Sequence, residues 1–150
     1  MKLAEALTKR ADIQKHIEQL GDRLQNNARV QEGEKPAEDP QDLLKQLDQD
    51  YKQLEQLMCR INETNATCGD GKHTLTQMLA RRECMTNRLS VMRNFLDAAS
   101  ATADRATKSE IKIVSTVNVA AMQKKVDADA KVLRQLDVDI QSLNWTTELK

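Results

Sequence analysis

The chain has 150 residues, of which 39% are hydrophobic, 31% charged and only 2% aromatic, and its 23 basic side chains balance 23 acidic ones. This length is typical of one domain, and the scarcity of aromatic residues, glycine and proline favours long amphipathic helices over a thick globular core. We predict an all-α fold, an elongated antiparallel helical bundle or coiled coil of about four helices with one short extended segment near residues 110–117. The charge balance argues against general electrostatic attraction to nucleic acid or acidic membranes.

The first predicted helix covers residues 2–28. Arg10 falls where its apolar stripe would continue. The stripe itself consists of Leu3, Leu7, Ile13, Ile17, Leu20 and Leu24. Residues 29–39 lose the helical period and are predicted to form a polar connector.

The second predicted helix covers about residues 40–65. Asp39 followed by Pro40 is a helix-start signal, since it places an acidic N-cap before a proline at the first helical position. The apolar residues of this helix are Leu43, Leu44, Leu47, Tyr51, Leu54, Leu57, Met58 and Ile61. Residues 67–72 follow as a glycine-containing turn.

The third predicted helix covers residues 74–103. Thr74 and Gln77 have the spacing of a capping box at its start. Its apolar residues are Leu75, Met78, Leu79, Met85, Leu89, Met92, Phe95, Leu96 and Ala99.

Residues 110–117 differ from the rest of the chain because they are rich in β-branched residues and nearly alternate. We expect this segment to be extended. A lone strand leaves its backbone hydrogen-bonding groups unpaired, so the segment needs a partner. Residues 29–36 or a second copy of the chain are the candidates.

The fourth predicted helix covers residues 118–144, with Asn118 as its N-cap. It contains a ladder whose steps alternate between four and three residues, which keeps one side of the helix against a partner helix. The ladder consists of Met122, Val126, Asp129, Leu133, Leu136, Ile140 and Leu143.

Three charged residues lie within apolar patterns: Arg10, Arg82 and Asp129. A buried charge is costly alone but tolerable when paired, and it can then fix helix register or partner choice. We expect interhelical ion pairs. Exposure at the rim of the helix interface and a polar ligand pocket are the alternatives.

No pattern of catalytic, cofactor-binding or metal-binding residues is recognised. Cys68 and His73 share a turn but supply only half of a zinc site, and residues 69–72 lack the spacing of a phosphate-binding loop. Arg81, Arg82, Arg88 and Arg93 could form a basic stripe, but a helix face paired with acidic residues of the second helix explains them better than nucleic-acid binding. We therefore expect a non-enzymatic protein.

The sequence also favours a cytoplasmic, oligomeric protein. It has no apolar run long enough to span a membrane, its first ten residues have no signal-peptide core, and three cysteines are typical of reduced thiols. Thin apolar stripes are usually buried against another copy, so we expect at least a dimer. We also expect Ile111, Ile113, Val117 and Trp145 to contribute to a junction between helices or subunits.

Four separated stretches resemble a family of small bacterial proteins of unknown function, some of which carry the label septicolysin. The resemblance covers essentially the whole chain. Its stretches are Lys2-Leu3-Ala4-Glu5-Ala6-Leu7 with Arg10-Ala11-Asp12, Val30-Gln31-Glu32-Gly33-Glu34, Ser109-Glu110-Ile111-Lys112 with Val114-Ser115-Thr116-Val117, and Asn144-Trp145-Thr146-Thr147-Glu148-Leu149. The label implies a membrane-active toxin, which is the alternative to a protein that acts through self-assembly and protein–protein interaction.

Overall fold

The computed structural model of the chain describes residues 1–101 and 112–150, and in these residues it is all-α, with no β-strand. The four helices are α1 (Leu3–Asn26), α2 (Pro40–Thr67), α3 (Leu75–Ser100) and α4 (Val119–Thr146). The predicted bundle of about four helices is therefore confirmed, and no predicted helix end is wrong by more than three residues.

The backbone forms two compact units. The first consists of Met1–Leu75 and Leu143–Lys150, and the second of Thr76–Ser142. That the 150 residues form one domain stays a prediction.

In the first unit, α1 and α2 form an antiparallel hairpin. Its direction follows from two contacts, since His16 meets Asp50 whereas the later Arg23 meets the earlier Glu38. The largest fully buried side chains of this hairpin are Leu3, Leu20, Leu43, Ile61 and Thr64, all at most 2% exposed. The predicted stripe of α1 is buried or half-buried throughout.

The connector between α1 and α2 is fixed by side chains. Buried Asn27 donates from Nδ2 to the Arg23 carbonyl at 2.9 Å and accepts at Oδ1 from the Glu38 N–H at 3.0 Å. The Arg23 guanidinium donates to both Glu38 carboxylate oxygens, which lowers the pKa of Glu38. Asp39 then caps α2 by accepting from the Gln41 N–H, as predicted for the N-cap.

The turn between α2 and α3 is closed by a short antiparallel bridge, which we call the turn strap. It pairs Gly69 with Thr74, and the Asp70 N–H donates to the His73 carbonyl at 3.1 Å. Gly71 has a φ of 89°, a left-handed conformation that glycine adopts without a steric cost.

A second bridge, the terminal strap, joins the two ends of the chain. Lys2 pairs with Glu148, and the Leu3 N–H donates to the Thr147 carbonyl at 2.9 Å. The Leu149 N–H donates to the Met1 carbonyl at 2.9 Å. Leu149 is only 8% exposed, so the end of the tail is packed.

In the second unit, α3 and α4 pack through a core formed by Leu89, Leu96, Val126 and Ala130. Met122 and Leu133 pack against this core. All seven positions of the predicted α4 ladder are buried or half-buried, so its predicted orientation is confirmed. Asn118 caps α4 by accepting from the Ala121 N–H at 3.0 Å, as predicted.

The predicted extended segment falls partly outside the described residues, which exclude Ile111. Residues 112–117 belong to no helix. Within the described ranges they form no β-bridge, so the expected pairing with residues 29–36 is not found there.

Candidate functional site

Asp129 forms an ion pair across the hairpin of α3 and α4. Its Oδ2 lies 3.4 Å from the Arg88 Nη1, and the side chains of Asp129 and Arg88 are 27% and 58% exposed. The expected interhelical pair is therefore present. The arginine that supplies it is Arg88, which sequence reasoning had assigned only to a basic stripe.

Arg82 pairs with Asp137 of α4, with 3.0 Å between Nη1 and Oδ1. The expected ion pair at Arg82 is thus confirmed. The prediction that acidic residues of α2 neutralise the arginines of α3 is wrong for Arg82 and Arg88, because both point to carboxylates of α4.

We expect the Asp129–Arg88 pair to contribute modestly to stability. We expect Asp129→Ala to lower the free energy of unfolding by about 1 kcal/mol, because both groups are partly solvated. A double-mutant cycle with Arg88→Ala should give a coupling of roughly 0.5 kcal/mol in chemical denaturation. Asp127→Ala, at an exposed position of the same helix, is the matched control. Strictly additive effects at the two sites would show that the pair contributes nothing.

Sequence reasoning missed the corresponding polar contact of α1 and α2. The His16 Nδ1 and the Asp50 Oδ2 are 2.5 Å apart, and the Asp50 side chain is only 16% exposed. The sequence signal that could have identified this contact is a second ladder in α2, whose steps also alternate between four and three residues. Asp50 occupies its third layer. That ladder consists of Leu43, Leu47, Asp50, Leu54, Leu57, Ile61 and Thr64.

Arg10 lies within the α1 stripe, as the sequence indicated. The side chain is half-buried, and its Nε is buried without a hydrogen-bond partner among the described residues. The expectation of an ion pair at Arg10 is therefore not met within those residues. An unpaired buried donor costs stability, which makes Arg10 the least satisfied polar group described.

The apolar arc of α2 is wider than the surface that α1 covers. Leu44, Tyr51 and Met58 are 42%, 54% and 41% exposed, whereas Leu43 and Ile61 of the same apolar set are buried. We call these three residues the α2 apolar face. A shallow groove of about 420 Å³ lies beside Tyr51 and Met58 and is also lined by Leu54, Glu55, Cys59 and Asn62.

The other predicted interface residues are mostly exposed in the single chain. Ile113 is 54% exposed and Trp145 is 64% exposed, whereas Val117 is half-buried. Ile111 lies outside the described residues. A contribution of these residues to a junction stays a prediction.

The turn strap holds its polar groups by backbone contacts. The Asp70 carboxylate accepts from the N–H groups of His73 and Lys72, which lowers the pKa of Asp70. Cys68 is a half-buried free thiol. No group of three or more potential metal ligands occurs in residues 1–101 and 112–150.

The lowered pKa of Asp70 predicts a pH-dependent contribution to stability. Because folding favours the ionised carboxylate, the contribution is complete above the ordinary pKa of 3.8 and is lost as the pH falls below it through the folded-state value. We expect wild type to exceed Asp70→Asn in stability at pH 7 and the difference to shrink towards pH 2. A difference that stays constant across this titration would contradict the assignment.

Comparison with known proteins gives a structural match but no activity. A crystal structure described as that of a functionally unknown conserved protein from Corynebacterium diphtheriae is 39% identical, with a TM-score of 0.88 over 100% of this chain and 99% of that one. No curated protein matches. None of the helices described here has a stretch that is long and apolar enough to cross a membrane. A family model described as a family of unknown function, DUF6847, matches residues 10–149, and the chain therefore belongs to that family.

Proposed function

We propose that this protein is a non-enzymatic cytoplasmic protein that acts through self-assembly and through binding another protein. The observation that carries the proposal is the α2 apolar face. Leu44, Tyr51 and Met58 recur every seven residues, which is the spacing of a helix face that packs against another helix.

A second copy of the chain is the proposed occupant of the α2 apolar face. The face is continuous with the buried seam of the same helix, because half-buried Leu47 and buried Leu54 lie between its members. Exposed apolar side chains that are grouped on one helix face are typical of a protein–protein contact. A second copy packed on this face would bury the apolar side chains of α2 that α1 leaves exposed.

Trp145 and Ile113 are proposed as further contacts of the assembly. An indole has a large apolar ring and one N–H donor, and it is enriched at protein interfaces for that reason. Trp145 fluorescence should therefore be blue-shifted in the assembly and should move to longer wavelength on dissociation. A fully solvated emission spectrum in the intact assembly would exclude Trp145 from the contact.

A charge placed on the α2 apolar face tests the proposed contact. We expect Tyr51→Glu to weaken self-association by at least tenfold, because the carboxylate would lose its hydration in the interface. Light scattering after size-exclusion chromatography measures the mass across a dilution series.

The matched control is Gln49→Glu, which adds the same charge to the same helix. Residues two apart point to nearly opposite sides of an α-helix, so Gln49 lies away from the face. Equal masses for Tyr51→Glu and wild type at every concentration would contradict the proposed interface. Loss of assembly in both variants would point to net charge as the cause.

The alternative function is a septicolysin-like membrane-active toxin. Its support is the resemblance of the four sequence stretches, together with exposed apolar residues such as Trp145. Release of an entrapped dye from liposomes distinguishes the two proposals. Leakage at micromolar protein would favour the toxin, and intact vesicles would favour the assembly protein.

A further inference from the structure

We infer that the chain is a tandem duplication of one helical hairpin, in which α1 and α2 form the first copy and α3 and α4 the second. We also infer that the terminal strap, which links the end of α4 to the start of α1, corresponds to the turn strap, which links α2 to α3. Sequence, burial, ion pairs and backbone contacts support it independently.

The sequences of α2 and α4 match when each position is compared with the one 79 residues later. Residues 43–67 and 122–146 are then identical at ten of 25 positions without a gap. The identical pairs are Lys45/Lys124, Asp48/Asp127, Asp50/Asp129, Lys52/Lys131, Leu54/Leu133, Gln56/Gln135, Leu57/Leu136, Ile61/Ile140, Asn65/Asn144 and Thr67/Thr146.

The helices α1 and α3 match more weakly in sequence but closely in burial, with an offset of 72 residues. The identical pairs are Leu3/Leu75, Leu7/Leu79, Arg10/Arg82 and Leu24/Leu96. Leu3 and Leu75 are both 0% exposed, and both Arg10 and Arg82 are half-buried. The shared pattern means that the same face of each helix packs against its partner.

The seam contacts coincide under the same two offsets. His16 corresponds to Arg88 and Asp50 corresponds to Asp129, and the structure pairs His16 with Asp50 and Arg88 with Asp129. A basic side chain of the first helix thus contacts the third-layer aspartate of the second helix in both hairpins. Helical periodicity alone does not require this, because it does not fix the antiparallel register.

The backbone contacts at the helix ends coincide as well. The Leu75 N–H donates to the Cys68 carbonyl at 2.7 Å, and the corresponding Leu3 N–H donates to the Thr147 carbonyl at 2.9 Å. The bridge between Gly69 and Thr74 corresponds in the same way to the bridge between Glu148 and Lys2. The bond from the Asp70 N–H to the His73 carbonyl corresponds to the bond from the Leu149 N–H to the Met1 carbonyl. The terminal strap therefore repeats the backbone contacts of the turn strap.

The two copies have diverged at positions outside the shared ladder of apolar residues. Arg82 has Asp137 as its partner, but the residue of α2 that corresponds to Asp137 is Met58. Arg10 therefore has no carboxylate at the position from which Asp137 accepts the hydrogen bond of the Arg82 Nη1. The α2 apolar face likewise becomes Gln123, Ala130 and Asp137 in α4, so only the first copy has an extended apolar surface at these positions.

Restoring the missing carboxylate tests the register of the duplication. Met58→Asp should give Arg10 the partner that Arg82 already has. In a double-mutant cycle, we expect the effect of Met58→Asp on the melting temperature to be more favourable with Arg10 present than in an Arg10→Ala background, because the comparison removes any effect of the added charge on self-association. Equal effects in the two backgrounds would overturn the inference.

Circular permutation tests the equivalence of the straps. Leu149 corresponds to Asp70 and Met1 to His73, so two residues should connect Leu149 with Met1, as Gly71 and Lys72 connect Asp70 with His73. The tested chain has Lys150→Gly, one added lysine before Met1, and new ends between Gly71 and Lys72. A second joined chain omits the added lysine.

We expect the chain with the added lysine to melt cooperatively, with circular dichroism like that of wild type and a higher melting temperature than the shorter join. The same closed chain opened inside α2, between Gln56 and Leu57, is the control and should lose cooperative folding. A shorter join that is equally stable, or a two-residue join that fails to fold, would overturn the equivalence.

Discussion

Replacing Gly69 with alanine is expected to destabilise the protein by about 3 kcal/mol or more. An added Cβ would lie 1.8 Å from the His73 carbonyl oxygen and 2.8 Å from the Thr74 Cα. These are backbone atoms held by the turn strap, so no flexible side chain can move aside. The α2–α3 turn would have to open, and the bond from the Asp70 N–H to His73 would be lost. Thermal and urea unfolding followed by circular dichroism measure the effect.

Gly21→Ala is the matched control, because it makes the same chemical change where there is room. No atom lies within 4 Å of the added Cβ, and Gly21 is in the interior of α1. Alanine is favoured over glycine there, so we expect a gain of up to about 1 kcal/mol. If Gly69→Ala changed stability by less than about 0.5 kcal/mol, the strap geometry described here would be wrong.

Truncating Ile61 or Ile140 to alanine is expected to cost about 2–5 kcal/mol in each case. Both side chains are 1% exposed, and each occupies the sixth layer of its ladder. The loss combines apolar transfer with the cavity that remains. Chemical denaturation of the two variants should give similar free energies of unfolding.

Val138→Ala is the comparison for the isoleucine variants, because Val138 lies on α4 but is 60% exposed. Its change should stay within about 0.5 kcal/mol. A cost for Ile140→Ala no larger than that of Val138→Ala would contradict the assigned orientation of the α4 ladder.

The helices and their buried faces could be predicted because helical periodicity is a local property. The ladder from Met122 to Leu143 indicates which side of α4 packs against a partner helix. The Asp39–Pro40 pair predicts where α2 begins. The partner of a charged residue in a helix–helix interface was less predictable. The sequence allows Asp129 to pair with any arginine of α3, because it does not fix the antiparallel register that places Asp129 beside Arg88.

The exposure of the α2 apolar face could not be predicted for a different physical reason. Its apolar arc is wide enough for two partners, and composition does not show which side of the arc a single neighbouring helix covers. Leu44, Tyr51 and Met58 could therefore be recognised as apolar but not as exposed. The contact of His16 with Asp50 was hidden because histidine does not contribute to an apolar periodic pattern.

The mass of the full chain in solution tests the proposed function most directly. One chain has a mass of 17.0 kDa, and we expect sedimentation equilibrium at micromolar concentration to give at least twice that value. A mass of 17.0 kDa throughout that range would contradict self-assembly through the α2 apolar face.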